Sequence, residues 1–280
     1  MAIASVRTVK ALRRRIAGWR GAGERIALVP TMGALHEGHL ALVRLGRRRA
    51  DRVVVSIFVN PTQFAPNEDF SAYPRTLTDD SRKLAGIADL IFAPSVDEMY
   101  PEGSATTVSL TGPAAVGLED RFRPTHFQGV TTVVAKLFVQ AMPDLAIFGE
   151  KDFQQLKVVT RMARDLHLPV RILGGATVRE PDGLALSSRN RYLSPDERAR
   201  APHLHQALRA CADAIRAGVT LAEAVAEART AIVSAGFEID YLEARHAETL
   251  APIASAPDGP VRLLAAARLG VTRLIDNIPV

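Results

Sequence analysis

Apolar, largely β-branched runs recur along the first two-thirds of the chain, at 25–29, 52–59, 89–92, 144–148 and 170–173. Between them, apolar residues fall three and four apart at 38–50, 77–86, 126–141 and 152–166, after a first helical stretch near 6–19. Runs with little polar alternation predict strands covered on both faces, and the helical text between them predicts βαβ units. The expected class is α/β, a Rossmann-like doubly wound parallel sheet. In such sheets ligands bind beyond the carboxyl ends of the strands, where this chain puts its Gly-, Asn-, Gln- and Asp-rich segments.

The pattern changes near Gly174-Gly175-Ala176. Past a loop at 177–193, Ser194-Pro195-Asp196-Glu197 reads as a helix start, with a capping serine, proline at the first position and acids in the first turn. Ala-rich helices follow near 195–217 and 220–235, then strand-like text at 237–243, 260–267 and 271–277. This predicts a first domain over 1–176 and a smaller α+β lid domain over 177–280.

Bulk properties narrow the field. No apolar run approaches the ~20 residues that cross a bilayer, and Met1 to Arg7 lacks the apolar stretch of a secretory signal. A cytoplasmic protein without a membrane partner is expected. Cys211 is the single cysteine, so neither an internal disulfide nor a multi-cysteine zinc site can form within one chain. The net charge of +5 raises the question of nucleic acid, but aromatic residues are 5% and do not interleave with the basic ones. The arginines sit in Ala/Arg/Leu helical text such as Arg47-Arg48-Arg49, which reads as coding bias, and no nucleic-acid partner is expected.

The strongest chemical signal is Pro30 to His39, which follows the run ending at Val29 and precedes the helical text from Leu40. A helix start offers unpaired N–H groups and partial positive charge, and Gly33 and Gly38 allow close approach to the backbone. His36 and His39, three apart, share a helix face and can address one polyphosphate. After the second strand comes Asn60-Pro61-Thr62-Gln63-Phe64, then Asn67 to Phe70 and Tyr73-Pro74-Arg75; amides here suit a small polar substrate, although Asn60-Pro61 alone is equally turn chemistry. Gly149-Glu150-Lys151-Asp152 follows the strand ending at Phe148, with Gln155 one turn on. Lys151 reads as a phosphate ligand or as a surface lysine beside a solvated acidic helix start. The loop from Val178 to Asn190, with Ser187, Ser188 and Arg189, reads as a flexible basic cover for a polyphosphate.

Taken together, these segments resemble the pantoate–β-alanine ligase (pantothenate synthetase) family over nearly the whole chain. The matching text is Pro30 to His39, Phe58 to Phe64, Tyr73 to Thr76, His126-Phe127-Gln128-Gly129-Val130, Phe148 to Leu156 and Asp182 to Asn190. Phe153 stands where the family usually has Tyr, and Leu186 where Met is common. The resemblance implies an ATP-dependent ligase that joins pantoate to β-alanine through pantoyl adenylate, on the route to coenzyme A. It implies an ATP site built from Met32, Gly33, Ala34, Leu35, His36, Glu37, Gly38 and His39, with Gly149, Glu150, Lys151, Asp152, Val178, Leu186, Ser187, Ser188 and Arg189. His39 is the implied proton donor, its imidazolium facing the leaving pyrophosphate. Gln63 and Gln155 are implied pantoate ligands, Gln63 also touching β-alanine, with Asn60 beside them. Mg²⁺ on the phosphates and a homodimer are implied as well. Asp79 and Asp80 read either as outer Mg²⁺ ligands or as acids matching a helix dipole. The alternatives are another nucleotidyl-transfer enzyme that stops after one step, and an RNA-binding protein.

Overall fold

A computed structural model describes residues 3–64, 73–253 and 259–280. The segment Asn67 to Phe70, singled out above, lies outside the described residues, as do Met1 and Ala2. The chain runs β1 (Ala4–Val6), α1 (Val9–Gly21), β2 (Ile26–Thr31), α2 (Glu37–Arg47), β3 (Arg52–Ile57), α3 (Leu77–Leu84) and β4 (Leu90–Phe92). It continues with α4 (Val96–Met99), α5 (Glu119–Phe122), α6 (His126–Ala141), β5 (Leu145–Gly149), α7 (Phe153–Asp165) and β6 (Arg171–Gly175). These strands form one sheet in the order β1-β4-β3-β2-β5-β6, all neighbours parallel.

Alternate strand residues face opposite layers, which makes the sheet doubly wound. Ile26, Leu28, Val54 and Phe92 pack against α1, α6 and α7, whereas Ala27, Val29, Val53, Val55 and Ile91 pack against α2 and α3. From β2 the chain builds outward through β3 and β4, then returns to lay β5 on the other side of β2. The carboxyl ends of β2 and β5 therefore flank the point where strand order reverses, and a crevice opens there.

The last third holds α8 (Pro195–Arg200), α9 (His203–Arg216), α10 (Leu221–Ser234) and an antiparallel sheet of β7 (Glu238–His246), β8 (Val261–Leu269) and β9 (Thr272–Pro279). One face of this sheet, with Leu263, Ala265 and Ala267, packs on α9 and α10. The other, with Tyr241, Leu264 and Ala266, packs on Leu118 and Phe153 of the first part of the chain.

Two expectations are corrected. The helix expected from residue 6 begins at Val9, because 4–6 pair as a three-residue edge strand too short to show a period. The helix expected over 195–217 is two, since Pro202 lacks an N–H and its ring displaces the carbonyl four residues back. The short helices α4 and α5 carry too few turns to be read from periodicity. Among the described residues no helix is long and apolar enough to cross a membrane.

A buried ionic cluster ties the two sheets together. Glu119 on α5 accepts Arg273 of β9 on both oxygens at 2.9 and 2.8 Å, and accepts the Tyr241 hydroxyl at 2.8 Å. Burial pushes the Glu119 pKa up, but the bonds and charge of Arg273 outweigh it and hold the carboxyl below its ordinary value. Removing Glu119 leaves the Tyr241 hydroxyl without its acceptor and Arg273 with Asp240 alone, whose Oδ2 accepts its Nε at 2.6 Å. Glu119→Ala is therefore expected to lower unfolding stability by about 3–5 kcal/mol at neutral pH. A depressed carboxylate pKa stabilises above the unfolded value and ceases to do so as pH falls through the folded one, so urea titrations should show the gap from wild type closing in acid.

Candidate active site

The turn after β2 is built before it can bind anything. Gly33 and Ala34 both take positive φ, 86° and 50°, a conformation that costs a non-glycine residue strain. The fully buried Asp80 of α3 offsets it: one oxygen accepts the Leu35 N–H at 2.8 Å, the other the Ala34 N–H and the Thr76 hydroxyl, each at 3.1 Å. Asp80 is thus a backbone clamp with both oxygens occupied, which corrects its reading as a metal ligand. Asp79 is surface-exposed and paired with Lys83 at 2.8 Å. Among the described residues no group of three His, Cys, Asp or Glu could hold a metal ion.

Held this way, the turn delivers His36 as the residue capping α2 and His39 one turn in, their ring centres 4.1 Å apart. Glycine at 38 leaves room for the His36 ring, since a Cβ there would stand 3.0 Å from it. The His36 N–H donates to His39 Nδ1 at 3.3 Å, which leaves the proton of a neutral His39 ring on Nε2. His36 Nδ1 is buried and has no hydrogen-bond partner among the described residues. Burial, then the nearby Lys151, lowers the His36 pKa to about 4; burial, then His36, lowers that of His39 to about 3. Both values lie below physiological pH, so burial and neighbouring positive charge favour the neutral form of each ring.

One cavity of about 220 Å³ gathers most of the expected residues: Met32, His36, Gly38 and His39 from the first loop, Gly149, Lys151, Asp152 and Gln155 beyond β5, and Val178 with Leu186 to Arg189 from the last loop. Gln63 joins them, its Nε2 donating to Met32 Sδ at 2.9 Å. A second cavity of about 530 Å³ shares Lys151, Asp152, Gln155, Ser187 and Arg189 and extends between the two sheets. Other expected residues stand apart. Gly33, Ala34 and Leu35 form the turn behind the wall, Glu37 is exposed and paired with Arg44, and Glu150 faces Arg262.

Asn60 lines the cavity but has no bonding capacity to spare, which corrects its expected substrate contact. Its Nδ2 donates to Gln63 Oε1 at 3.2 Å and Gly129 O at 3.1 Å, and its Oδ1 accepts the Tyr100 hydroxyl at 2.9 Å and Thr62 Oγ1 at 3.0 Å. It aims Gln63 instead. Gly129 permits this, because a Cβ there would lie 2.3 Å from the Thr62 carbonyl oxygen. Glycine inside helical text was a readable signal of such an approach. Val130, Val133, Val134 and Leu137 of α6 add an apolar wall that the sequence reading assigned no role. The loop expected to be flexible is a hairpin: Leu186 N–H bonds Val178 O at 3.0 Å, Glu180 N–H bonds Leu184 O at 2.8 Å, and Gly183 turns at φ 97°.

Fold and site together define an α/β nucleotide-binding protein with a His-x-Gly-His helix start at the switch point of its sheet. The family model described as pantoate–β-alanine ligase matches residues 4–279, and the chain belongs to that family of ligases. It is 62% identical over 275 residues to a pantothenate synthetase of Rhodopseudomonas palustris, covering 98% of this chain and 97% of that one. The pantothenate synthetase structure from Thermus thermophilus superposes with a TM-score of 0.93 at 49% identity, covering 99% of both chains. The pantoate–β-alanine ligase of Francisella tularensis, solved with a β,γ ATP ligand and β-alanine, superposes at 0.80 with 33% identity, covering 99% of this chain and 98% of that one.

Because both folded imidazole pKa values lie below the unfolded 6.5, the unfolded chain binds more protons between that pH and about 3. The neutral rings therefore stabilise the fold fully above pH 6.5 and progressively less as pH falls. His39→Asn, which retains an acceptor for the His36 N–H, should flatten the fall in urea midpoint between about pH 7 and 4.5. A midpoint falling as steeply as in wild type would contradict a neutral buried ring.

Proposed function

We propose that this crevice performs the family's ligation in two steps, with pantoyl adenylate between them. In the first, a pantoate carboxylate oxygen bonds the α-phosphorus of ATP while the bond from that phosphorus to the bridging oxygen breaks, and pyrophosphate leaves with the electron pair. In the second, the β-alanine amine bonds the acyl carbon, the carbon–oxygen bond to AMP breaks, and the nitrogen sheds a proton. Neither step needs a covalent protein intermediate, so the residues act by positioning, by stabilising charge and by excluding water from the adenylate.

The juxtaposition of His36, His39 and Lys151 in one cavity with Gln63 and Gln155 supports these roles most directly. His39, with its proton on Nε2, donates to the phosphates as a neutral ring, and their negative charge draws a further proton onto the imidazole pair as ATP enters. Ser187, Ser188 and Arg189 reach the same phosphates from the hairpin, and Val178 and Leu186 complete the nucleotide site. Gln63 and Gln155 hold pantoate against the apolar wall of α6, which suits its two methyl groups. Magnesium would come with the nucleotide, beside the residues read as phosphate ligands, and would neutralise charge on the leaving pyrophosphate. A division at 176/177 into a nucleotide- and pantoate-binding domain and a lid fits this reading, and family likeness supports a cytoplasmic homodimer.

Incubation with MgATP, pantoate and β-alanine should yield pantothenate and AMP by mass spectrometry, with each omission abolishing the product; an intact protein that makes neither amide nor adenylate would refute the reading. His39→Ala should suppress pantoyl-adenylate formation by roughly 10²-fold or more in a protein that still folds, as circular dichroism would check. Gln63→Ala should raise the KM for pantoate far more than that for ATP. Equal increases would reduce Gln63 to a loop support.

A further inference from the structure

Two adjacent residues of β9 reach into both loops that carry the phosphate ligands. Asn277 is buried, and its Nδ2 donates to the carbonyl oxygens of Glu150 at 3.0 Å and Lys151 at 2.8 Å, the tight turn beyond β5. Its Oδ1 accepts Arg262 Nε at 2.7 Å, and that guanidinium lies 4.2 Å from the centre of the Phe153 ring. Asp276, equally buried, accepts the Arg179 guanidinium on both oxygens at 2.7 and 2.9 Å, with His205 Nδ1 3.3 Å away. Arg179 sits in the hairpin and bridges to Ala185, two residues before Ser187.

We propose that Asp276 and Asn277 are a positioning pair that sets the gap between Lys151 on one loop and Ser187 to Arg189 on the other. Consecutive strand residues point to opposite sides, so one rigid strand can grip two loops at once. The Nδ2 group satisfies two half-buried carbonyl acceptors of a turn only three residues long, and without it Lys151 loses its fixed origin. The bidentate Asp276–Arg179 pair fixes both the distance and the plane of the hairpin. Neither residue lies where pantoate is read to bind, so the pair tunes nucleotide affinity alone. The inference rests on the phosphate-ligand assignment above.

Titration calorimetry of the whole protein with ATP and with pantoate separates the cases. Asn277→Ala and Arg179→Gln should each weaken ATP binding on the order of tenfold and leave pantoate Kd within about twofold. In a Lys151→Ala background, Asn277→Ala should weaken ATP no further, because its effect passes through that lysine, while Arg179→Gln should still do so. Equal losses for both ligands, or an undiminished Asn277→Ala effect without Lys151, would overturn the pair's role and leave a purely structural one. Should Asn277→Ala fail to fold, Asn277→Ser and Arg179→Gln decide by the same criteria. If Lys151→Ala itself leaves the ATP Kd unchanged, the phosphate assignment fails, and the pair's role fails with it.

Discussion

A single buried carboxylate holds the turn that carries His36 and His39. Asp80 takes two consecutive backbone N–H groups of a turn whose glycine and alanine are both left-handed, and so determines the angle at which α2 leaves the sheet. Everything chemical on that loop follows from the angle: His36 caps the helix, His39 falls one turn later, and both rings enter the crevice between β2 and β5. Lys83, one turn along α3 from Asp79, adds a bond to Leu35 O at 2.8 Å, so α3 braces the turn through its amides and a carbonyl together. An acid on a helix facing a strand-to-helix turn serves here as scaffold.

Burial and like charge set the electrostatics of the crevice. Its histidines are uncharged because they are buried beside Lys151 and beside each other, and a second cation in that space would be repelled. Neutral imidazoles keep the folded protein stable near neutrality and still present an N–H donor to the crevice. A nearby negative charge would raise both pKa values, since it favours the charged form that burial opposes.

The second sheet is more than a cover. Its strands supply the Arg273 and Tyr241 bonds to Glu119, the Asn277 bonds to the Lys151 turn and, from the opposite face of β9, the Asp276 bonds to the hairpin. The cavity between the sheets is therefore bounded on both sides by groups already engaged across the boundary. The first part of the chain contributes the chemistry, and the second contributes the distances.

The sequence by itself determined the parallel sheet, its helices and the loops that bear function. Continuous apolar runs and a 3.6-residue period are local properties, and a strand-to-helix turn with His-x-Gly-His announces its chemistry wherever it occurs. Family likeness added the ligase, because several motifs in fixed order specify more than any one of them. What only the tertiary structure decided was the work of residues whose partners are far along the chain. Asp80 read as an outer metal ligand or a helix-start acid and Asn60 as a substrate amide or a turn residue, and both are clamps; Asn277 carried no signal and grips Lys151 from 126 residues away. The charge of the histidines was likewise undecidable, because a pKa depends on burial and neighbours. Local pattern encodes which element forms and which side chains are available, whereas burial and long-range hydrogen bonding decide which of them remain free to meet a substrate.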